Sequence, residues 1–195
     1  MNFPDKKYKI IYADPPWSYE NKTLGRDLNA GAKDHYDTMT LDEIKNLPIQ
    51  QIRDRDCVLF LWCVVPQLQE GLEVMKSWGF KYKTMITWVK LRGNHTQGGL
   101  GYWFRGYTEH LLFGVRGNVK AFKCQKNNYI IQTNNGHSKK PDSFRKLIEV
   151  ATNGLTPRIE LFARTKVHGW DVWGNDEKLE NQPLEMFVDT IHEEM

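Results

Sequence analysis

Apolar residues gather in five short runs along the chain, at 10–13, 57–65, 82–89, 109–115 and 158–162. Most are rich in β-branched or aromatic side chains, and the longest, CVLFLWCVV, is uninterrupted. Runs that do not alternate with polar residues predict strands buried on both faces of a sheet, with 57–65 central. Between them the spacing turns helical. Thr40 reads as an N-cap, Glu43 completes a capping box, Leu41, Ile44 and Leu47 share one face, and Pro48 ends the helix. Pro66 opens a second helix, in which Leu68, Leu72, Met75 and Trp78 recur as core contacts until Gly79 stops it. A third is predicted over 142–152, with Phe144, Leu147, Ile148 and Ala151 on one side. Strands alternating with helices predict an α/β domain built on a mostly parallel sheet, whose ligands bind at the carboxyl ends of strands. Asp14, Lys90 and Arg164 all fall at or just beyond such ends, so they are expected to share one crevice.

The polar stretches divide the remainder. Residues 18–38 carry Gly25, Gly31 and several Asn and Asp without a period, which predicts a flap over the first strand's end. Residues 92–107 hold five glycines around Trp103, Phe104 and Arg105, which predicts a substrate-facing loop. Lysines at 120, 123 and 126 mark 119–135 as a charged, solvated hairpin or, as the alternative, a nucleic-acid arm, and 134–141 reads as a loop, NNGHSKKP. With no linker or repeat visible, residues 1–175 are expected to form a single domain and 176–195 an acidic tail or peripheral helix.

Composition narrows the picture only a little. Seven tryptophans are the unusual entry in an ordinary globular mixture, and a formal net charge of +3 is compatible with a polyanionic partner. No window approaches a membrane span and no basic-then-apolar leader opens the chain, so a soluble cytoplasmic protein is expected. The three cysteines form no CxxC pair, and buried free thiols are predicted. His137 and His168 fit no zinc spacing.

The chemistry concentrates where the first strand stops, at Asp14, Pro15, Pro16 and Trp17. Two consecutive prolines fix φ and remove two backbone donors, so the sequence predicts a stiff turn whose carbonyls stay unpaired beside an acid and an aromatic ring. An exocyclic amine on a nucleobase is a poor nucleophile because its lone pair is delocalised. Acceptors on its hydrogens, here Asp14 and the Pro15 carbonyl, favour the form that frees the lone pair, while Trp17 offers a face for stacking. By itself the tetrapeptide reads more readily as a strand end and a stiff turn than as a site.

Further segments lift that ambiguity. IIYADPPW from Ile10, HYDTMTLDEIKNLPI from His35, FLWC from Phe60, TWVK from Thr87, GYWFRGYTEHLLFGVRGN from Gly101, HSKKPD from His137, IELFAR from Ile159 and GWDVWGN from Gly169 occur in that order. Together they resemble the MT-A70 family of adenine-N6 methyltransferases. The resemblance implies a Rossmann-like S-adenosylmethionine domain with the catalytic tetrapeptide ahead of the cofactor segments, and no metal. Carried over by residue, it implies catalysis at Asp14, Pro15, Pro16 and Trp17, and cofactor contacts from Asp14, Lys140, Arg164 and Asn175, with Glu160 orienting Arg164. It also implies an acceptor pocket lined by Tyr36, Lys90 and Glu109, to which Trp103 is added from its place in the glycine-rich loop. The implied substrate is adenine in nucleic acid, DNA or else RNA. The implied partner is a second copy or a second subunit for target recognition. An inactive nucleic-acid-binding subunit is the alternative from another class, although such subunits lose the tetrapeptide or the lysine and this chain keeps both.

Overall fold

A computed structural model describes residues 3–18, 38–93, 95–96, 98–99, 103–122, 126–133 and 140–174. The flap over 19–37 with Tyr36, most of the NNGHSKKP loop, Cys124, Asn175 and the tail over 176–195 lie outside them. Strand β1, Tyr8–Ala13, is an inner strand of an eight-stranded sheet, paired on both sides. Its neighbours β2, Arg53–Val64, and β7, Arg158–Leu161, both run parallel to it. Asp14 therefore emerges between two other strand ends. Antiparallel pairing enters with β5, Thr108–Arg116, inserted between β2 and β3, Lys81–Arg92. Two strands went unpredicted. One is β8, Asp171–Trp173, parallel to β7; the other is β4, His95–Thr96, folded back on the end of β3.

The expected hairpin over 119–135 is corrected. Its second half is β6, Tyr129–Thr133, which pairs parallel with β3, while Val119 and Phe122 pack on the core. The lysines hid this because parallel pairing with a distant strand leaves no local turn signature.

Helices cover both faces, giving three layers. On one face α1, Leu41–Lys45, and α2, Leu68–Ser77, bury Ile44, Val74 and Met75 against Ile11, Leu59, Leu61 and Leu112. On the other, α3, Ser143–Ala151, sets Phe144 and Ile148 among Ile10, Tyr12, Phe60, Trp62 and Trp88. The capping box of α1 is formed as expected, with the Thr40 N–H donating to Glu43 at 2.7 Å and the Glu43 N–H donating to the Thr40 hydroxyl at 3.3 Å. Leu72 is the exception to the predicted helical face, being exposed. Gly71 takes the contact with the sheet, since a Cβ there would stand 2.8 Å from Cys63 Sγ. Cys57 and Cys63 are buried free thiols, each pushed up to about 12 chiefly by burial. Among the described residues no helix is long and apolar enough to cross a membrane.

Candidate active site

The turn after β1 is tied down by its own backbone. The Trp17 N–H donates to the Pro15 carbonyl at 2.9 Å and the Met39 N–H to the Pro16 carbonyl at 2.8 Å. The expectation that these carbonyls stay unpaired is thus corrected. Missing proline donors leave the local ladder short, and the next available N–H groups fill it. A carbonyl oxygen has two lone pairs, so Pro15 keeps one for a further donor. Trp17 is half-buried against the core, and its indole N–H donates to the Trp62 carbonyl at 3.1 Å, which fixes the ring's orientation at the end of β2.

Asp14 does not stand alone. The Lys140 ammonium, delivered by the loop before α3, donates to both Asp14 carboxylate oxygens at 2.8 Å and lies 3.5 Å from a Glu109 oxygen. Glu109, at the start of β5, is also hydrogen-bonded and ion-paired with Lys90 near the end of β3. Acid and base alternate along this line: Asp14, Lys140, Glu109, Lys90. Its floor is aromatic. Lys140 sits 5.3 Å over the Trp62 ring and Lys90 5.4 Å over Trp88, and Trp62 meets Phe144 edge-on at 4.7 Å. The Trp62 indole N–H donates to the Tyr12 hydroxyl at 2.6 Å, which locks that floor to β1.

Burial alone would push the Glu109 carboxyl up and the Lys140 ammonium down. Against it, the charges of Lys140 and Lys90 hold Glu109 below the usual carboxylate value, and Asp14 with Glu109 holds Lys140 above the usual lysine value. A depressed carboxyl stabilises the fold above its unfolded value of about 4.3, and that stabilisation is lost as pH falls through the folded value. Lys140 acts with opposite sign, its contribution being complete below about 10.4 and lost as pH rises through the folded value. The melting temperature of the wild type is therefore expected to exceed that of Glu109→Gln at neutral pH, with the gap closing below about pH 4. A gap that persists unchanged into acid, followed by calorimetry across the pH range, would contradict the ionised cluster.

A second ion pair lies deeper. Both oxygens of Glu160, on β7, are taken by Arg145 of α3, with Nε donating at 2.6 Å and Nη2 at 2.9 Å, and Arg145 also pairs with Asp142. Glu160 thus has a partner in Arg145 that its place in the IELFAR segment did not reveal. Burial raises its carboxyl while Arg145 pulls it back down. Sequence reasoning missed Arg145, although its spacing of three from Ile148 and seven from Thr152 puts it on a buried helical row.

Arg164 follows β7 after a sharp turn in which Phe162 has φ 62°, a left-handed conformation that is costly for a bulky residue. It lies near enough to Lys140 to oppose that ammonium's charge. Trp103 is elsewhere. It stands 91% exposed with Phe104 at 90%, beyond a bridge between Gly99 and Gly106. The structure thus brings Asp14, Lys140, Glu109 and Lys90 together, sets Arg164 close by, gives Glu160 a supporting place, and holds Trp103 out in solvent.

The donors suit the methionine end of S-adenosylmethionine. A zwitterionic amino acid presents an ammonium and a carboxylate, and the Asp14–Lys140 pair presents their complements side by side. Among the described residues, no three His, Cys, Asp or Glu side chains are grouped to hold a metal ion.

The sequence is similar to known proteins over most of its length. The family model MT-A70 matches residues 8–176. The chain is 34% identical to the Type II methyltransferase M.MunI of Mycoplasma sp, with 88% of this chain and 78% of that protein covered. It is 33% identical to the N(6)-adenosine-methyltransferase catalytic subunit METTL3 of Homo sapiens, with 81% and 26% covered. It is 30% identical to a putative N(6)-adenosine-methyltransferase MT-A70-like protein of Medicago truncatula, with 87% and 26% covered. The chain therefore spans most of the Mycoplasma protein and about a quarter of the other two.

Proposed function

The chain belongs to the MT-A70 family, and from that premise we propose that it methylates the exocyclic N6 amine of adenine in DNA. The observation that carries this reading is the Asp14 carboxylate, held at the carboxyl end of β1 by Lys140 on an aromatic floor. S-adenosylmethionine, when bound, supplies an electrophilic methyl on sulfur and leaves as S-adenosylhomocysteine. Asp14 and the free lone pair of the Pro15 carbonyl accept the two N6 hydrogens, which localises the nitrogen lone pair for attack on that methyl. Once methylated, the nitrogen would carry a positive charge, and Asp14 is placed to take up the proton it sheds. Lys140 would hold the cofactor's carboxylate, Arg164 its ribose and Asn175 the region of its adenine. Glu160 acts on the site through Arg145 and the wall of β7. Tyr36, Lys90 and Glu109 form the acceptor side, with Trp17 as a stacking ring and Trp103 reaching the nucleic acid beyond the target base. Most of the gain comes from holding the two reactants in line.

Coverage of most of a type II methyltransferase supports DNA as the substrate, while the likeness to N(6)-adenosine-methyltransferases favours RNA as the second reading. We take residues 1–175 as one catalytic domain and 176–195 as a tail, acting in the cytoplasm as a homodimer or with a second subunit. Incubation with methyl-labelled S-adenosylmethionine and adenine-containing DNA and RNA, single- and double-stranded, followed by nucleoside analysis, tests the reading. Label is expected in N6-methyladenine. Label in cytosine, or in none of the four, contradicts it.

A further inference from the structure

The aromatic tip between β3 and β5 is unexplained by the site alone. Trp103 and Phe104 are 91% and 90% exposed, although burying such rings is among the strongest drives in folding. The stem that lifts them is braced. Arg92 pairs with His95, the Gly99 N–H donates to Gly106 at 3.0 Å, and the Lys90 N–H donates to the Tyr107 carbonyl at 2.9 Å. Gly98 packs against the Tyr107 ring, where a Cβ would stand 2.6 Å from two ring carbons. A floppy loop needs no such glycine.

Charge says what the tip meets. From Leu91 to Thr108 the sequence has no Asp or Glu, in a chain holding 24 of them, and it carries Arg92 and Arg105, both exposed. A protein-binding patch needs no such bias, whereas a phosphate backbone selects for it. Reach agrees. Phe104 is five residues from Glu109, so the tip lies within about 18 Å of the acceptor side along the chain, a few stacked bases from the target.

We propose that this tip is a nucleic-acid finger, in which Trp103 and Phe104 stack on nucleotides flanking the target adenine and Arg92 and Arg105 hold the adjoining phosphates. The proposal rests on the adenine-methyltransferase reading above and extends it from the target base to its neighbours.

The test uses the full chain, a random-sequence oligonucleotide pool in single- and double-stranded form, and the double variant W103A/F104A. Stacking of this kind predicts a rise in apparent KM for the oligonucleotide of about 5- to 150-fold per ring, so at least about 30-fold for the double variant. Affinity for S-adenosylhomocysteine, by calorimetry, is expected to stay at the wild-type value. The variant W103Y/F104Y keeps both faces and is expected to recover most of the loss, which a structural role for bulk alone would not reproduce in Trp103→Leu with Phe104→Leu. An unchanged KM, while the wild type still methylates adenine, overturns the finger and leaves the enzyme reading standing. A fall from dimer to monomer in W103A/F104A, by analytical ultracentrifugation, assigns the tip to a second copy and overturns it too. Wild type that methylates none of the pools overturns the enzyme reading and the finger with it.

Discussion

Replacing Asp14 with asparagine is expected to lower the rate of methyl transfer about 10²- to 10³-fold, the usual cost of losing one preorganised charge-stabilising group. Asparagine preserves volume and one carbonyl oxygen but turns the other acceptor into a donor, which opposes an N6 hydrogen instead of receiving it. It also removes the charge that takes up the proton. The fold should tolerate the change, because Lys140 keeps Glu109 at 3.5 Å and remains over the Trp62 ring. The loss is therefore predicted in kcat, measured with labelled cofactor at saturating oligonucleotide, with the circular dichroism spectrum retained. A variant within tenfold of the wild type would remove Asp14 from the reaction.

The largest effect on stability is expected at Arg145. Its side chain and that of Glu160 are only 10% and 9% exposed, and Arg145→Ala leaves a carboxylate buried without its partner. Breaking such a pair costs about 3–5 kcal/mol, or roughly 6–20 °C of melting temperature for a domain of this size. Removing both charges is a different experiment. R145M/E160M replaces the pair with apolar side chains of similar volume and is expected to recover most of the loss. The deficit of Arg145→Ala should also shrink as pH falls, because Glu160, already raised by burial, becomes neutral and its uncompensated charge disappears. Calorimetry of the two variants that gave equal losses would show that packing, and not the stranded charge, sets the cost.

Local features were legible in the sequence where local physics fixes the outcome. The run before Asp14 is apolar on both sides, so β1 could only be an inner strand, and the two prolines mark its end without reference to any other part of the chain. Thr40 and Glu43 cap α1 within four residues. Lys140 was placed at the cofactor by resemblance, but its contact with Asp14 spans 126 positions and leaves no trace in the spacing of either residue. The same limit hid β6 beside β3 and β8 beside β7, both short strands whose stability comes from a neighbour already in place. Arg145 was overlooked because charge on a helix suggests a solvated face, and only the helical row it shares with Ile148 argues otherwise. The Pro15 and Pro16 carbonyls show the reverse error. Prolines lack donors, but the chain that follows supplies them from Trp17 and Met39.

The central claim is that the charged line beginning at Asp14 and Lys140 is the seat of methyl transfer. A crystal structure of the full chain with S-adenosylhomocysteine tests it most directly. The amino-acid end of the ligand is expected at the carboxyl ends of β1 and β7, with its carboxylate on Lys140 and its sulfur facing Asp14. Ligand bound away from those strand ends, with the Asp14–Lys140 pair unaltered, would contradict it.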